Sequence, residues 1–287
     1  MKPQVYGPFD YSPIIQRNKL QWPNGARLAL WVIPNVEFFP LDKPIPGGSG
    51  KAPDLPSWTI RDYGNRIGVF RFMELFDRYG IRATAALNSD VCLHHPVIIE
   101  EGNKRGWEWM GHNQTNSQRL IDVPEGDEPG LIKATFATIE KVAGRRPKGW
   151  LSSGLQETWN TLDLLAAEGL EYICDWTNDD QPYLMTLESG KKLVSVPYSM
   201  EINDMGQMTR FLRSTDEFRD MICRQFDTLY REGAQSGRVM AICLHPFLMG
   251  VPHRIGALEA ALQYICSHAG VWLTTGSEIA RHYLSQI

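Results

Sequence analysis

Residues 27–39 read RLALWVIPNVEFF. The run is strand-like and apolar up to Val36, and it delivers Glu37 to its end between apolar neighbours. The same grammar repeats outward from it. ATAALN (83–88) ends on Asn88, WEWMGHN (107–113) reaches His112, and KGWLSS (148–153) reaches Ser153. YICDW (172–176) carries Asp175 and Trp176, KLVSVPYS (192–199) runs up to Glu201, VMAICLHP (239–246) delivers His245, and VWLTT (271–275) is the last such run. Helical periods fall between them. Val69, Phe72, Met73 and Phe76 share one face of a helix beginning near Gly64 and stopped by Gly80. Further helices are expected near His95 to Arg105, from Pro129 to Gly144, over TLDLLAAEG (161–169) and near Leu258 to Cys266. Ser214 and Glu217 form a capping box ahead of Phe218, Met221, Ile222 and Phe226. Seven or eight strand–helix units argue for parallel strands in a barrel or a doubly wound sheet.

Composition sets the outer bounds. The chain has 287 residues, within reach of a single α/β barrel, and a net charge of -4 from 29 basic and 33 acidic residues. Near balance leaves no basic footprint for nucleic acid. At 43% hydrophobic and 22% charged, the chain has enough apolar surface to fold. No apolar run approaches the roughly 18 residues of a membrane helix, and the opening MKPQVYGPFDYSP lacks the apolar stretch of a signal peptide. Five scattered cysteines with no C-x-x-C indicate neither a zinc knuckle nor a disulfide framework. A cytoplasmic location is the expectation. No linker splits the chain, so residues 1–25 read as an N-terminal extension packed on one barrel domain, 26–287.

In parallel α/β folds the site collects at the carboxyl ends of the strands. Asn35 and Glu37, Asn88, His112 with Thr115 and Asn116, Ser153, Asp175 and Trp176, Glu201, and His245 fall there. Any barrel has polar loops at those points, so each residue carries little weight alone. Glu37, flanked by Val36 and Phe38, is expected to be desolvated, with a raised pKa suited to a general base. His112 follows Gly111, where the backbone can approach closely, and Pro46, Gly47 and their neighbours between Pro40 and Pro56 suit a lid. His94, His95, His253, His268 and His282 read as structural or remote, and Cys174 and Cys243 as core. No G-x-G-x-x-G, Walker A, H-E-x-x-H or G-x-S-x-G string is present.

These stations resemble the polysaccharide deacetylase, or NodB-homology, superfamily from about Ala26 to Leu284. The resemblance implies a single-domain α/β fold, a distorted (β/α)7-type barrel. In PNVEFF, Glu37 takes the place of the catalytic base and Phe38 that of a metal-binding Asp; His112 is kept, and Asn116 replaces a second metal-binding His. GWLSSGLQET lacks the Arg usual in the third motif, CDWTNDD resembles the fourth, and LHP with His245 matches the fifth, whose histidine acts as general acid. A catalytic zinc wants about three protein ligands, and Phe38 and Asn116 do not supply them. No metal or other cofactor is therefore expected, with a zinc or another divalent metal on Glu37, His112 and His245 as the alternative. RDYGNRIGVFR, YICDWTNDDQPY and GWLSSGLQET look like the branch of PuuE-type allantoinases and cyclic imide hydrolases, which also suggests a homo-oligomer.

The expected activity is metal-independent hydrolysis of a C–N bond in a small cyclic imide or amide. Glu37 is the expected base and His245 the acid. His112 with Asn88, Thr115 and Asn116 would hold the carbonyl oxygen or imide edge, with Asn35, Trp176 and Glu201 as further substrate contacts. The alternatives are a metal-dependent deacetylase of an N-acetylated sugar and a non-catalytic small-molecule-binding barrel. Neither nucleic acid nor membrane is an expected partner.

Overall fold

The computed structural model describes residues 4–124 and 126–287. Among these, the strands are β1 (Leu28–Val36), β2 (Thr84–Leu87), β3 (Glu108–Gly111), β4 (Gly149–Trp150), β5 (Tyr172–Ile173), β6 (Tyr183–Thr186), β7 (Lys192–Ser195), β8 (Arg238–Leu244) and β9 (Val271–Leu273). They form one curled sheet in the order β6-β7-β5-β4-β3-β2-β1-β8, with β9 beside the start of β1. Every pairing is parallel except the β6–β7 hairpin. The helices are α1 (Leu55–Tyr63), α2 (Val69–Tyr79), α3 (Ser89–His94), α4 (Pro96–Lys104), α5 (Glu128–Ala143), α6 (Thr161–Ala167), α7 (Thr215–Gly233), α8 (Ile255–Cys266) and α9 (Gly276–Leu284). None is long and apolar enough to cross a membrane.

The period-two rule of strands sorts the core. On β1, Ala29, Trp31 and Ile33 point into the barrel, where they meet Met110, Leu151, Cys174, Val196, Ala241 and Cys243. Leu28, Leu30 and Val32 point outward under Phe72 and Phe76 of α2, Phe218 and Ile222 of α7, and Leu258 and Leu262 of α8. A third cluster joins Ile132 and Phe136 of α5 to Trp150, Leu162 and Ile173. Continued past the strand ends, the same parity turns Glu37 and His245 inward and Phe38 outward. Phe38 stacks on His94, with ring centroids 4.4 Å apart.

The curled sheet does not close by regular pairing. β6 and β8 end the order, and the free edge of β8 is met by single contacts: Cys243 N–H donates to Ile202 O at 2.9 Å, and Val239 N–H to Asp180 O at 2.9 Å. The N-terminal segment packs at the start of β8, where buried Trp22 donates through Nε1 to Arg238 O at 2.8 Å.

Two local expectations change. The helix expected from Gly64 begins at Leu55, because Asp54 caps it through Ser57 N–H at 3.1 Å and Pro56 fits its first turn. The loop after β1 therefore ends at Asp54 rather than Pro56. A π-helical turn, Gly64–Gly68, then joins α1 to α2. The helix expected near His95 to Arg105 is present as α4, and the short α3 stands ahead of it as a separate helix, since Pro96 forces His95 out of the helical region (φ -135°, ψ 50°).

Candidate active site

The inward parity of β1, β3 and β8 brings three sequence-selected residues together. His112 Nε2 lies 3.7 Å and His245 Nε2 3.5 Å from Glu37 Oε1, and all three side chains are buried. Asn116 Nδ2 donates to the same oxygen at 2.6 Å. Glu37 Oε2 has no hydrogen-bond partner among the described residues. His112 Nδ1 lies 2.5 Å from Leu151 O, which can only accept, so Nδ1 carries the proton and Nε2 faces Glu37. His245 is held from behind by Asp204, whose carboxylate takes the ring Nδ1–H at 2.6 Å and the backbone N–H at 2.7 Å.

The electrostatics reverse one expectation. Burial raises the Glu37 pKa, but the charge of His245 and hydrogen bonding to both imidazoles outweigh it and bring the carboxyl down to about 2. Burial works against the His245 cation, yet Asp204 and Glu37 together push it up to about 10. At neutral pH the pair is therefore carboxylate and imidazolium, not a raised-pKa acid beside a neutral ring.

The cavity over this pair has a volume of about 370 Å3, at the small end of the range of about 300–1,000 Å3 usual for small-molecule sites. Glu37, His112, Asn116, Asn35 and His245 line it, with Tyr198, Asn203, Phe39 and Pro46. Sequence reasoning missed Asp204, Arg61, Tyr198 and Asn203. Arg61 enters from α1; its Nη1 donates to Ser57 O at 3.0 Å and its Nη2 to Pro46 O at 3.1 Å. Trp58 Nε1 also donates to Phe39 O at 2.9 Å, so the loop after β1 is tied to α1. The approach of α1 and α2 depends on glycine. A Cβ on Gly64 would lie 2.7 Å from Phe247 N, and one on Gly68 2.1 Å from Pro246 O.

Other selected residues serve elsewhere. Asn88 accepts from Phe38 N–H at 2.8 Å and donates to His112 O, tying β1 to β3 behind the site. Asn35, although at the cavity wall, spends its Nδ2 on Tyr198 Oη and Leu244 O, each at 3.1 Å. Thr115 is half-buried outside the cavity, its carbonyl accepting from Ser153 Oγ at 3.5 Å. Glu201 is exposed and lines a different pocket with Asp179 and Asp180, because the chain bends away after Tyr198 before returning at Asn203.

Trp176 is also outside. It lines a neighbouring cavity of about 630 Å3 with Ile121, Glu157, Trp159 and Asp175, and donates to Glu157 Oε1 at 3.0 Å. Leu155 stands between the two cavities, held at a left-handed φ of 55°. Beside it, burial and the Asp175 carboxylate push the Glu157 carboxyl well above its ordinary range, and burial raises Asp175 as well. Asp175 accepts Ser152 N–H at 2.7 Å, one residue from the carbonyl that orients His112.

With this geometry in view, the likenesses are informative. No family model matches the chain. A Schizosaccharomyces pombe protein assigned by name to the polysaccharide deacetylases is 30% identical over 297 aligned positions, covering 91% of each chain. The chain belongs to the polysaccharide deacetylase family. Its fold is that of the NodB-homology superfamily. The crystal structure of the PuuE allantoinase superposes with a TM-score of 0.86 at 27% identity over 96% of this chain and 98% of that one. A Pseudomonas aeruginosa protein, also assigned to the polysaccharide deacetylases, gives 0.85 at 26% identity over 94% and 95%.

The polysaccharide deacetylase family implies a metal, and the donor set here does not fit a three-ligand zinc centre. Phe38 carries no donor and faces away from the cavity, against His94. Asn116 turns its amide nitrogen, not a ligand atom, toward Glu37. His112 Nε2 is the one nitrogen kept of that set, and no step below passes through a metal.

Proposed function

We propose that this hydrolase of the deacetylase–allantoinase superfamily opens a C–N bond of a small cyclic amide or imide without a metal. The observation that carries the reading is the buried pair itself: Glu37 Oε1 and His245 Nε2, 3.5 Å apart, with Asp204 fixing the imidazole from behind. Glu37 Oε2, unpartnered among the described residues, is the oxygen that takes a proton from water. The hydroxide oxygen bonds to the ring carbonyl carbon, the carbonyl electrons move onto oxygen, and their return breaks the C–N bond. His245 Nε2–H protonates the departing nitrogen. Glu37 is then neutral and His245 uncharged, and return of the proton from Glu37 to His245 Nε2, through solvent in the opened cavity, restores the starting pair. His112 beside Glu37 is placed to steady charge on the carbonyl oxygen. An imide nitrogen leaves more readily than a simple amide nitrogen, which reduces the need for a Lewis acid. The likeness to an allantoinase, whose name denotes a cyclic ureide, supports a ring substrate. A cytoplasmic homo-oligomer accompanies this reading.

The second reading, a deacetylase of an N-acetylated sugar, is favoured by the assignment of the 30% identical relative. A panel of succinimide, hydantoin, dihydrouracil, allantoin and N-acetylglucosamine oligomers separates the two, run before and after chelation. Ring opening that survives EDTA and phenanthroline is expected; acetate release that is lost on chelation and restored by zinc establishes the second reading. Glu37→Gln and His245→Ala should each lower kcat/KM by about 10² to 10⁴, and together by far less than the product. A Glu37→Gln enzyme within about threefold of the wild type is incompatible with a general base at this position.

A further inference from the structure

Two arginines reach the cavity without forming an ion pair, although the Glu37 and Asp54 carboxylates act on Arg61 from a distance. Arg61 enters its wall from α1 and Arg210 from the π-helical turn Gly206–Arg210. Among the described residues, neither guanidinium has a carboxylate within ion-pair distance. Arg61 is half-buried, lies 4.9 Å from the Phe39 ring centroid and 5.4 Å from that of Phe247, and spends both terminal nitrogens on backbone carbonyls. Its buried Nε–H has no acceptor among the described residues. Arg210 is exposed at the rim, 5.5 Å from the Phe211 ring centroid. The cavity's own carboxylate, Glu37, is already engaged by Asn116 and the two imidazoles, and Asp204 is engaged by His245.

A cation drawn partly out of water is costly without a counter-charge, and the planar fork of arginine matches the two oxygens of a carboxylate. Leu155, Met200 and Met205 supply an apolar wall for the ring. We propose that the substrate is a cyclic amide or imide carrying a carboxylate, which Arg61 and Arg210 receive while the ring carbonyl lies at Glu37. This inference rests on the ring-opening reading and narrows it from neutral rings to anionic ones. Ring opening itself also creates a carboxylate, so substrate and product are two sources of the same chemistry.

The test compares hydantoin with 5-carboxymethylhydantoin, and dihydrouracil with its 6-carboxylate, in the wild type, Arg61→Gln and Arg210→Gln. The carboxylate member of at least one pair should be favoured in kcat/KM by about tenfold or more, the worth of one charge-assisted hydrogen bond. Added salt should shrink the preference. Each substitution should bring it to within about threefold, and because Arg210 is at the rim, its variant keeps the wild-type fold. Equal turnover of the neutral rings, or a preference that survives both substitutions, overturns the proposal. So does arginine-dependent inhibition by ring-opened acids without any preference among the rings, which would make the carboxylate the product's. Calorimetric titration of the same rings separates the two levels. A carboxylate ring that binds through the arginines but is never opened sinks the ring-opening reading and keeps the anion site. No binding by any of them overturns the anion site.

Discussion

The site is knitted together by neutral amides. Asn65 Nδ2 donates to Glu37 O at 2.7 Å, Asn203 Nδ2 to Tyr198 Oη at 3.2 Å, and Asn35, Asn88 and Asn116 make the ties described above. Each amide both donates and accepts, so it can lock strand ends without adding a charge that would disturb the Glu37–His245 pair. Strand-end polarity in the sequence found Asn35 and Asn88 but not their use, because polarity does not say whether an amide faces a ligand or a neighbouring carbonyl. Asp204 escaped for a different reason: it follows a bend with no strand pattern of its own. Its contribution is measurable. Asp204→Asn keeps an acceptor for the imidazole but removes the charge most responsible for raising His245. The alkaline limb of kcat/KM, near pH 10 in the wild type, should move down toward the ordinary histidine range of about 6.5. A pH–rate profile whose alkaline limb stays where it is would show that Asp204 does not govern the acid.

At the scale of elements, the long strands β1 and β8 were legible because a continuous apolar run of that length, too short for a buried helix and rich in β-branched residues, fits a strand covered on both faces. β4 and β5 were legible as the runs KGWLSS and YICDW, although each pairs over only two residues, and β6 was missed because a hairpin edge strand with half-exposed positions has no such run. The join of α1 to α2 was hidden too, although its glycines were in plain view. Gly68→Ala would drive a methyl into Pro246 O, next to His245, and should destabilise by about 1–3 kcal/mol and lower kcat with it. Gly256→Ala, in open space on α8, is the control and should be neutral or stabilising by up to about 1 kcal/mol. Equal melting temperatures for the two variants would refute the close-approach argument. The Glu157–Asp175 pair makes a separate demand. A carboxyl whose folded pKa is raised contributes stability below its ordinary value of about 4.5 that is lost as the pH climbs through the folded value. Glu157→Gln removes the raised carboxyl, so its melting temperature should decline less than that of the wild type between pH 5 and 9. Parallel curves would mean that Glu157 is not raised in the folded chain.

The whole molecule is a barrel left open on one side, and the acid depends on how that side is bridged. Asp204 reaches His245 on the stretch whose Ile202 carbonyl holds Cys243 of β8. If that stretch lifts off, the imidazole loses its anion and reverts toward an ordinary histidine without any change in its own strand. Local breathing of the backbone and proton affinity at the centre are thus one equilibrium seen by two instruments. The Cys243 amide should exchange with deuterium faster than its inward neighbours on β1, such as Trp31, and a ring seated in the cavity should slow that exchange. If Cys243 and Trp31 exchange at one rate with and without the ring, the two events are uncoupled. Coupled, they make the enzyme's acidity a property of motion: a chain that never relaxed along this edge would hold its strongest acid permanently, and one that relaxed often would be an enzyme only part of the time.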